Sequence, residues 1–168
     1  MLILIGLRAS GKTTLGKLLA EHTGRPFTDL DDLTAAALGC GTASEALRAH
    51  GVAGFRAAEL EALRAFLPTA RPEHILALGG GTPTIPAAAA LLQPHTLTYL
   101  RAQPHTLQQR LRADPRERPS LTGGDAVAEV PQVFTQRDPL YRSIAAHTID
   151  TDAMTAEGVL GVMRQLAP

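Results

Sequence analysis

The stretch Gly6-Leu7-Arg8-Ala9-Ser10-Gly11-Lys12-Thr13 leaves this chain few folds to adopt. Its two glycines let backbone N–H groups turn inward without a Cβ in the way, making a concave cradle for an anion. Such a cradle works only between a strand that delivers it and a helix whose positive end faces the same point. The run Met1-Leu2-Ile3-Leu4-Ile5 reads as that strand, and Lys12–His22 as that helix. The spacing of glycines, Lys and Thr is that of a nucleotide phosphate loop. Lys12 is then expected to reach the β- and γ-phosphates, and the Thr13 hydroxyl to ligate Mg²⁺. Gly6, Arg8, Ala9, Ser10, Gly11, Lys12, Thr13 and Thr14 form the expected ATP-binding set.

Beyond the loop, short apolar runs alternate with longer helical patterns, the mark of βαβ units around a parallel sheet. Strands are expected at Leu2–Gly6, Pro26–Asp29, Ile75–Leu78, Thr96–Leu100 and Thr148–Asp150. Helices are expected at Lys12–His22, Ala43–Ala49, Ala53–Leu67, Pro86–Leu92, Pro104–Ala113, Val127–Arg137 and Thr155–Leu166. Thr42 to Glu45 fits a capping box, while Pro86 and Pro104 stand where a first helical turn accepts proline. Leu60, Leu63 and Leu67 share one helical face and read as core packing. With 168 residues, no repeat and no linker, the chain reads as one domain over 1–168. The least patterned segment is DPRERPSLTGGD, Asp114–Asp125. It reads as an exposed loop, and a closing lid is one form of that reading.

Composition narrows the partners. Lys+Arg and Asp+Glu are both 16, so the formal net charge is zero and no polyanion-binding face is expected. Aromatic residues make up only 4%, without tryptophan, which argues against a base-stacking platform. Of the basic residues fourteen are Arg, yet one of the two lysines stands in the phosphate loop, where a flexible point charge suits a phosphate. A single cysteine, Cys40, excludes an intrachain disulfide, and the six histidines are scattered without metal-ligand spacing. No apolar run approaches the ~20 residues of a membrane helix. The N-terminus also lacks a basic leader and cleavage site. A cytoplasmic protein with no nucleic-acid or membrane partner is expected.

A phosphate cradle serves motors, switches and kinases alike. The loop begins six residues into a chain of 168, which leaves little room for motor or switch machinery, and no NKxD-type guanine signature is present. A small kinase needs an acceptor site, a carboxylate on the magnesium side and a lid, and four stretches offer them. Asp29-Leu30-Asp31-Asp32 follows the second strand, where open α/β sheets bind ligands. One carboxylate there can orient a magnesium water while another accepts a hydroxyl proton. The bland reading is capping of a following helix. In Gly54-Phe55-Arg56-Ala57-Ala58-Glu59, Glu59 lies three residues after Arg56 and can hold it as a rigid fork for a carboxylate. Read alone, that pair is an exposed salt bridge. Gly79-Gly80-Gly81 lets backbone approach a ligand, or is simply a turn. Arg116, Arg118 and, at the end of a helix, Arg137 can close over anions.

Taken together, GLRASGKTT, DLDD, GFRAAE, LGGGT, RPSL and RDPLYRSIA resemble the shikimate kinase family, from Met1 to the last helix. The resemblance implies a three-layer α/β P-loop kinase fold, with a five-stranded parallel sheet flanked by helices. It also implies a substrate-binding helical region at about 31–66 and a lid at about 112–125. It implies MgATP-dependent phosphorylation of the 3-hydroxyl of shikimate by a monomer. Matched by position, Lys12 contacts the phosphates, while Thr13 and Asp29 serve the metal. Asp31 binds shikimate hydroxyls as the proposed base, and Arg56 and Arg137 clamp its carboxylate. Gly79, Gly80 and Gly81 line the substrate, and Arg118 covers ATP. The sequence departs from the family's usual pattern in three places. No acidic residue stands in His50–Gly54 before Arg56, the lid motif reads RPSL in place of RPLL, and Gly39-Cys40-Gly41 is unusual.

Two other readings stay open at this point. A gluconate-type kinase acts on a similar carboxylated polyol, so only the family-like spacing separates it. A non-catalytic kinase-like sensor is the other. Every chemically named residue is present, and no segment before Leu2 has room for a helix-turn-helix, which speaks against the sensor.

Overall fold

A computed structural model of the chain describes residues 1–114 and 124–166. Five parallel strands form one sheet in the order β2-β3-β1-β4-β5. They are β1 (Leu2–Ile5), β2 (Phe27–Asp29), β3 (Ile75–Ala77), β4 (Leu97–Arg101) and β5 (His147–Asp150). β1 is central and wholly buried, as an uninterrupted apolar run in a parallel sheet requires. Its residues alternate between faces. Ile3 and Ile5 pack with Leu76, Tyr99 and Tyr141 on one side; Leu2 and Leu4 pack with Leu19, Leu100 and Met163 on the other. Helices α1 (Lys12–Thr23) and α7 (Ala156–Leu166) cover the second face. The longer helices α3 (Ala43–Phe66) and α6 (Val130–Ile144), with α4 (Pro86–Leu92) and α5 (Pro104–Ala113), cover the first.

The chain leaves β1 toward β2 on one flank and later passes to β4 on the other, so the strand order reverses beside β1. Ligand crevices open at the carboxyl ends of strands at such a point. The phosphate loop, the Asp29–Asp32 stretch and the Gly79–Gly81 turn all emerge there.

Three elements differ from the sequence reading. The helix α2 (Leu30–Ala37) starts directly from β2, and its cap is Asp29, which accepts from the Asp31 N–H at 3.0 Å; neither Asp31 nor Asp32 caps it. Its eight residues, alanine at one end and acidic at the other, carry too short a pattern to announce a helix. The two helices expected around residue 51 are one long element broken by Gly51, which adopts φ 67°, ψ 175°. That backbone is open to glycine and strained for other residues. The expected capping box is present, with Thr42 and Glu45 each accepting from the other's N–H. Finally, α6 begins at Val130 and runs past Pro139 to Ile144, so Arg137 lies inside the helix and not at its end. The proline removes one backbone donor, yet Tyr141 on the same helix is fully buried and anchors the last turns.

Candidate active site

The loop after β1 folds back over α1. Ala9 adopts φ 61°, unusual for a residue with a side chain and the kind of local strain that gathers at functional loops. The Lys12 ammonium donates to the carbonyls of Gly6 and Leu7, each at 2.9 Å, which holds it across the mouth of the loop. The Thr13 hydroxyl donates to Asp29 Oδ2 at 2.6 Å. Two hard oxygens from the loop and from β2 therefore stand side by side. Ser10 is buried, and Arg8, ion-paired with Glu129 at 3.7 Å, lines the cleft beside it. Ser10, Gly11, Lys12, Thr13 and Thr14 line a cleft of ≈ 370 Å³ with Asp29 and Asp31.

Next to this cleft lies a smaller cavity of ≈ 60 Å³, lined by Asp31, Phe55, Arg56, Gly80, Gly81 and Arg137 among others. The structure thus gathers the DLDD, GFR, triple-glycine and RDPLY elements around one space. Glu59 is completely buried and ion-paired with Arg56. Its Oε1 also accepts from the Thr82 hydroxyl at 2.6 Å. The exposed salt bridge that the sequence allowed is therefore a buried one. Truncating either partner of such a pair leaves an uncompensated charge, which is costly. The glycines around it are needed for space. A Cβ on Gly79 would run into the carboxylates of Glu59 and Asp31, and one on Gly81 into the Arg56 guanidinium.

Asp31 sits where the two cavities meet. Its pKa is pushed from the usual 3.8 up to about 6, first by burial and then by the nearby Asp29 and Glu59 carboxylates. Lys12 and Arg56 pull in the opposite direction without cancelling this. Arg137 donates from Nη1 to the Gly80 carbonyl at 2.6 Å, and the Tyr141 hydroxyl donates to the same oxygen.

Sequence reasoning missed the far end of the larger cleft, where Arg110, Thr151, Met154 and Val159 contribute. Arg110 is fixed there by donating to the Thr151 carbonyl at 3.0 Å and its hydroxyl at 3.1 Å. Within QQRLR it looks like any surface helix residue, and only the tertiary contact reveals it. Arg116 and Arg118 lie outside the described residues.

A parallel sheet with a phosphate loop at its centre, opening into one large and one small cavity, defines a P-loop kinase of small molecules. Known proteins make that class specific. A family model described as Shikimate kinase matches residues 8–167. A shikimate kinase of Thiobacillus denitrificans is 40% identical over 163 residues, covering 96% of this chain and 87% of the relative. One from Oleidesulfovibrio alaskensis is 40% identical over 168 residues, with 98% and 95% covered. Among solved structures, shikimate kinase from Acinetobacter baumannii in complex with shikimate aligns with TM-score 0.85 and 32% identity, covering 98% of this chain and 90% of that one. The chain belongs to the shikimate kinase family.

Proposed function

We propose that the two cavities are the two halves of one reaction, in which MgATP in the larger cleft phosphorylates shikimate in the smaller cavity. The γ-phosphoryl group passes to the 3-hydroxyl, giving shikimate 3-phosphate and ADP, a step on the way to chorismate and the aromatic amino acids. The observation that carries this reading is the shared wall: Arg8, Asp31 and Gly80 line both cavities. An acceptor hydroxyl beside Asp31 faces the phosphate end of the cleft, and such placement supplies much of the acceleration in phosphoryl transfer.

The donor set fits magnesium. Thr13 and Asp29 offer oxygens, and among the described residues no three His, Cys, Asp or Glu gather into a protein cage. That suits an ion held largely by phosphates and water. When bound, Mg²⁺ supplies charge neutralisation to the phosphates. Lys12 exchanges its carbonyl partners for phosphate oxygens. Asp31, ionised at neutral pH but with its pKa raised to about 6, orients the acceptor hydroxyl and takes its proton. Arg56, held by Glu59, and Arg137 clamp the substrate carboxylate, while the Gly79–Gly81 backbone lines it. Arg118, matched by motif and outside the described residues, would supply positive charge to the transferring group. The described residues would form one cytoplasmic, monomeric domain, and most of the lid expected near 112–125 lies outside them. Among the described residues no helix is long and apolar enough to cross a membrane.

The test is ADP release from MgATP with shikimate, with gluconate and with no acceptor. Turnover with shikimate alone is expected. Equal rates with gluconate would move the assignment to a gluconate-type kinase, and no turnover at all would leave only a ligand-sensing module.

A further inference from the structure

We infer that Tyr141 is a positioning residue for the substrate carboxylate, acting through the Gly80 carbonyl that it shares with Arg137. The inference rests on the reading of Arg137 as part of a carboxylate clamp. On α6 the two residues are four apart and so lie on one face. Both donate to the same oxygen, Arg137 from Nη1 at 2.6 Å and Tyr141 from its hydroxyl. A carbonyl oxygen has two lone pairs, so these two donors fill it.

The tyrosine is held from behind. Its ring is fully buried and meets Tyr99 edge-on, with centroids 5.2 Å apart and planes at 72°. The Tyr99 hydroxyl in turn donates to Asp138 Oδ1 at 2.9 Å, and Arg101 Nε donates to that oxygen at 2.9 Å. What presents the Tyr141 hydroxyl to Gly80 is this ring-on-ring packing, which a phenylalanine at position 99 would supply equally. Burial raises the pKa of its hydroxyl, against the opposing pull of Arg137, which also hydrogen-bonds that hydroxyl directly, and of Arg56.

Sharing the oxygen restricts Arg137. With one lone pair taken by Tyr141, the guanidinium is tethered to the backbone through a single nitrogen. Part of its five-donor fork also meets the Tyr141 hydroxyl directly, and Arg137 lines the small cavity, where the remainder is open to other acceptors. Without the hydroxyl, Gly80 could engage both amino groups of Arg137, and the triple-glycine turn would lose one tie to α6. A substrate carboxylate would then compete with the protein's own backbone for the fork. A tyrosine that served only to fill the core would have no such effect, because phenylalanine fills the same space.

The test compares Tyr141→Phe, Arg137→Ala, the double variant and Tyr99→Phe. Each is measured for kcat, for KM of shikimate and of ATP, and for melting temperature as a check that it has folded. Tyr141→Phe is expected to raise KM for shikimate roughly tenfold, the worth of one hydrogen bond, with kcat and KM for ATP within about twofold of wild type. In the Arg137→Ala background it should add little, because the group it positions is gone. Tyr99→Phe, which loses a hydroxyl from the same ring pair but not from Gly80, should leave KM for shikimate unchanged. A wild-type KM in Tyr141→Phe, or an equal rise in Tyr99→Phe, overturns the inference. If Arg137→Ala itself leaves KM for shikimate unchanged, the clamp reading falls and this inference with it. If Arg137→Ala raises it and Tyr141→Phe does not, only the tyrosine assignment falls.

Discussion

The phosphate-loop end of the larger cleft is lined by one continuous segment, Arg8 to Leu15, whose lysine is held by the Gly6 and Leu7 carbonyls. The acceptor side draws Asp31 from α2, Arg56 and Glu59 from α3, Gly79–Gly81 from the turn after β3, and Arg137 from α6. The first is a local structure that any strand–loop–helix unit can present. The second is a set of charges that exists only once distant helices have packed, with a buried carboxylate, Glu59, at its centre. A local site is easy to damage without unfolding the protein. A site assembled from buried charges ties affinity to stability, since the groups that bind the ligand also satisfy one another.

Substitutions on the two sides should therefore fail in different ways. The largest loss is expected for Lys12→Met, with turnover down by at least about 10³-fold in a steady-state assay and an almost unchanged melting temperature. Unchanged turnover would remove the lysine from the chemistry. Arg137→Ala should raise KM for shikimate by roughly 100-fold and KM for ATP by little, since a charged donor to a carboxylate is lost. Equal effects on both constants would erase the division between the halves. Glu59→Gln should cost both properties at once. Stability should fall by about 1–3 kcal/mol in urea unfolding, and KM for shikimate should rise roughly tenfold as Arg56 loses its charged holder. It also removes one of the charges that raise the Asp31 pKa, so that pKa should move down. The smallest effect belongs to Gly51→Ala. Its left-handed backbone would be strained, costing about 1–2 kcal/mol of stability with kcat little altered.

The same division explains how much could be read from the chain. Gly6, Gly11, Lys12 and Thr13 announce their role because the loop's geometry requires those residues at that spacing in one stretch. The five strands and the proline-started helices α4 and α5 were equally legible, as their signals are local. Within the acceptor cavity the residue types were visible, but not their environment. Glu59 three residues after Arg56 looks identical whether the pair is exposed or buried, and only packing against Thr82 decides it. Arg110 gave no sign of function and Tyr141 stood out only as part of RDPLY, because their partners Thr151 and Gly80 lie far away in sequence. Helix α2 was missed for another reason: its cap, Asp29, is also the last residue of β2 and a partner of Thr13.

Asp31 joins the halves, and its titration carries the account. Its folded-state pKa of about 6 stands above the usual 3.8, so between those two values the native protein holds a proton there that the unfolded chain has released. This group's contribution to stability is full below the usual value and is lost as pH rises through about 6. Asp31→Asn should therefore melt higher than wild type at neutral pH while losing activity, a trade common at sites built for chemistry. The most direct measurement is the pH dependence of kcat/KM for shikimate between about pH 4.5 and 8 in wild type and Asp31→Asn, since that ratio reports the free enzyme's essential groups. A rise to a plateau with an apparent pKa of about 6, absent from the residual activity of Asp31→Asn, is the expected result. A wild-type profile flat through that range, or the same rise in Asp31→Asn, would contradict the proposal that the proton passes through Asp31.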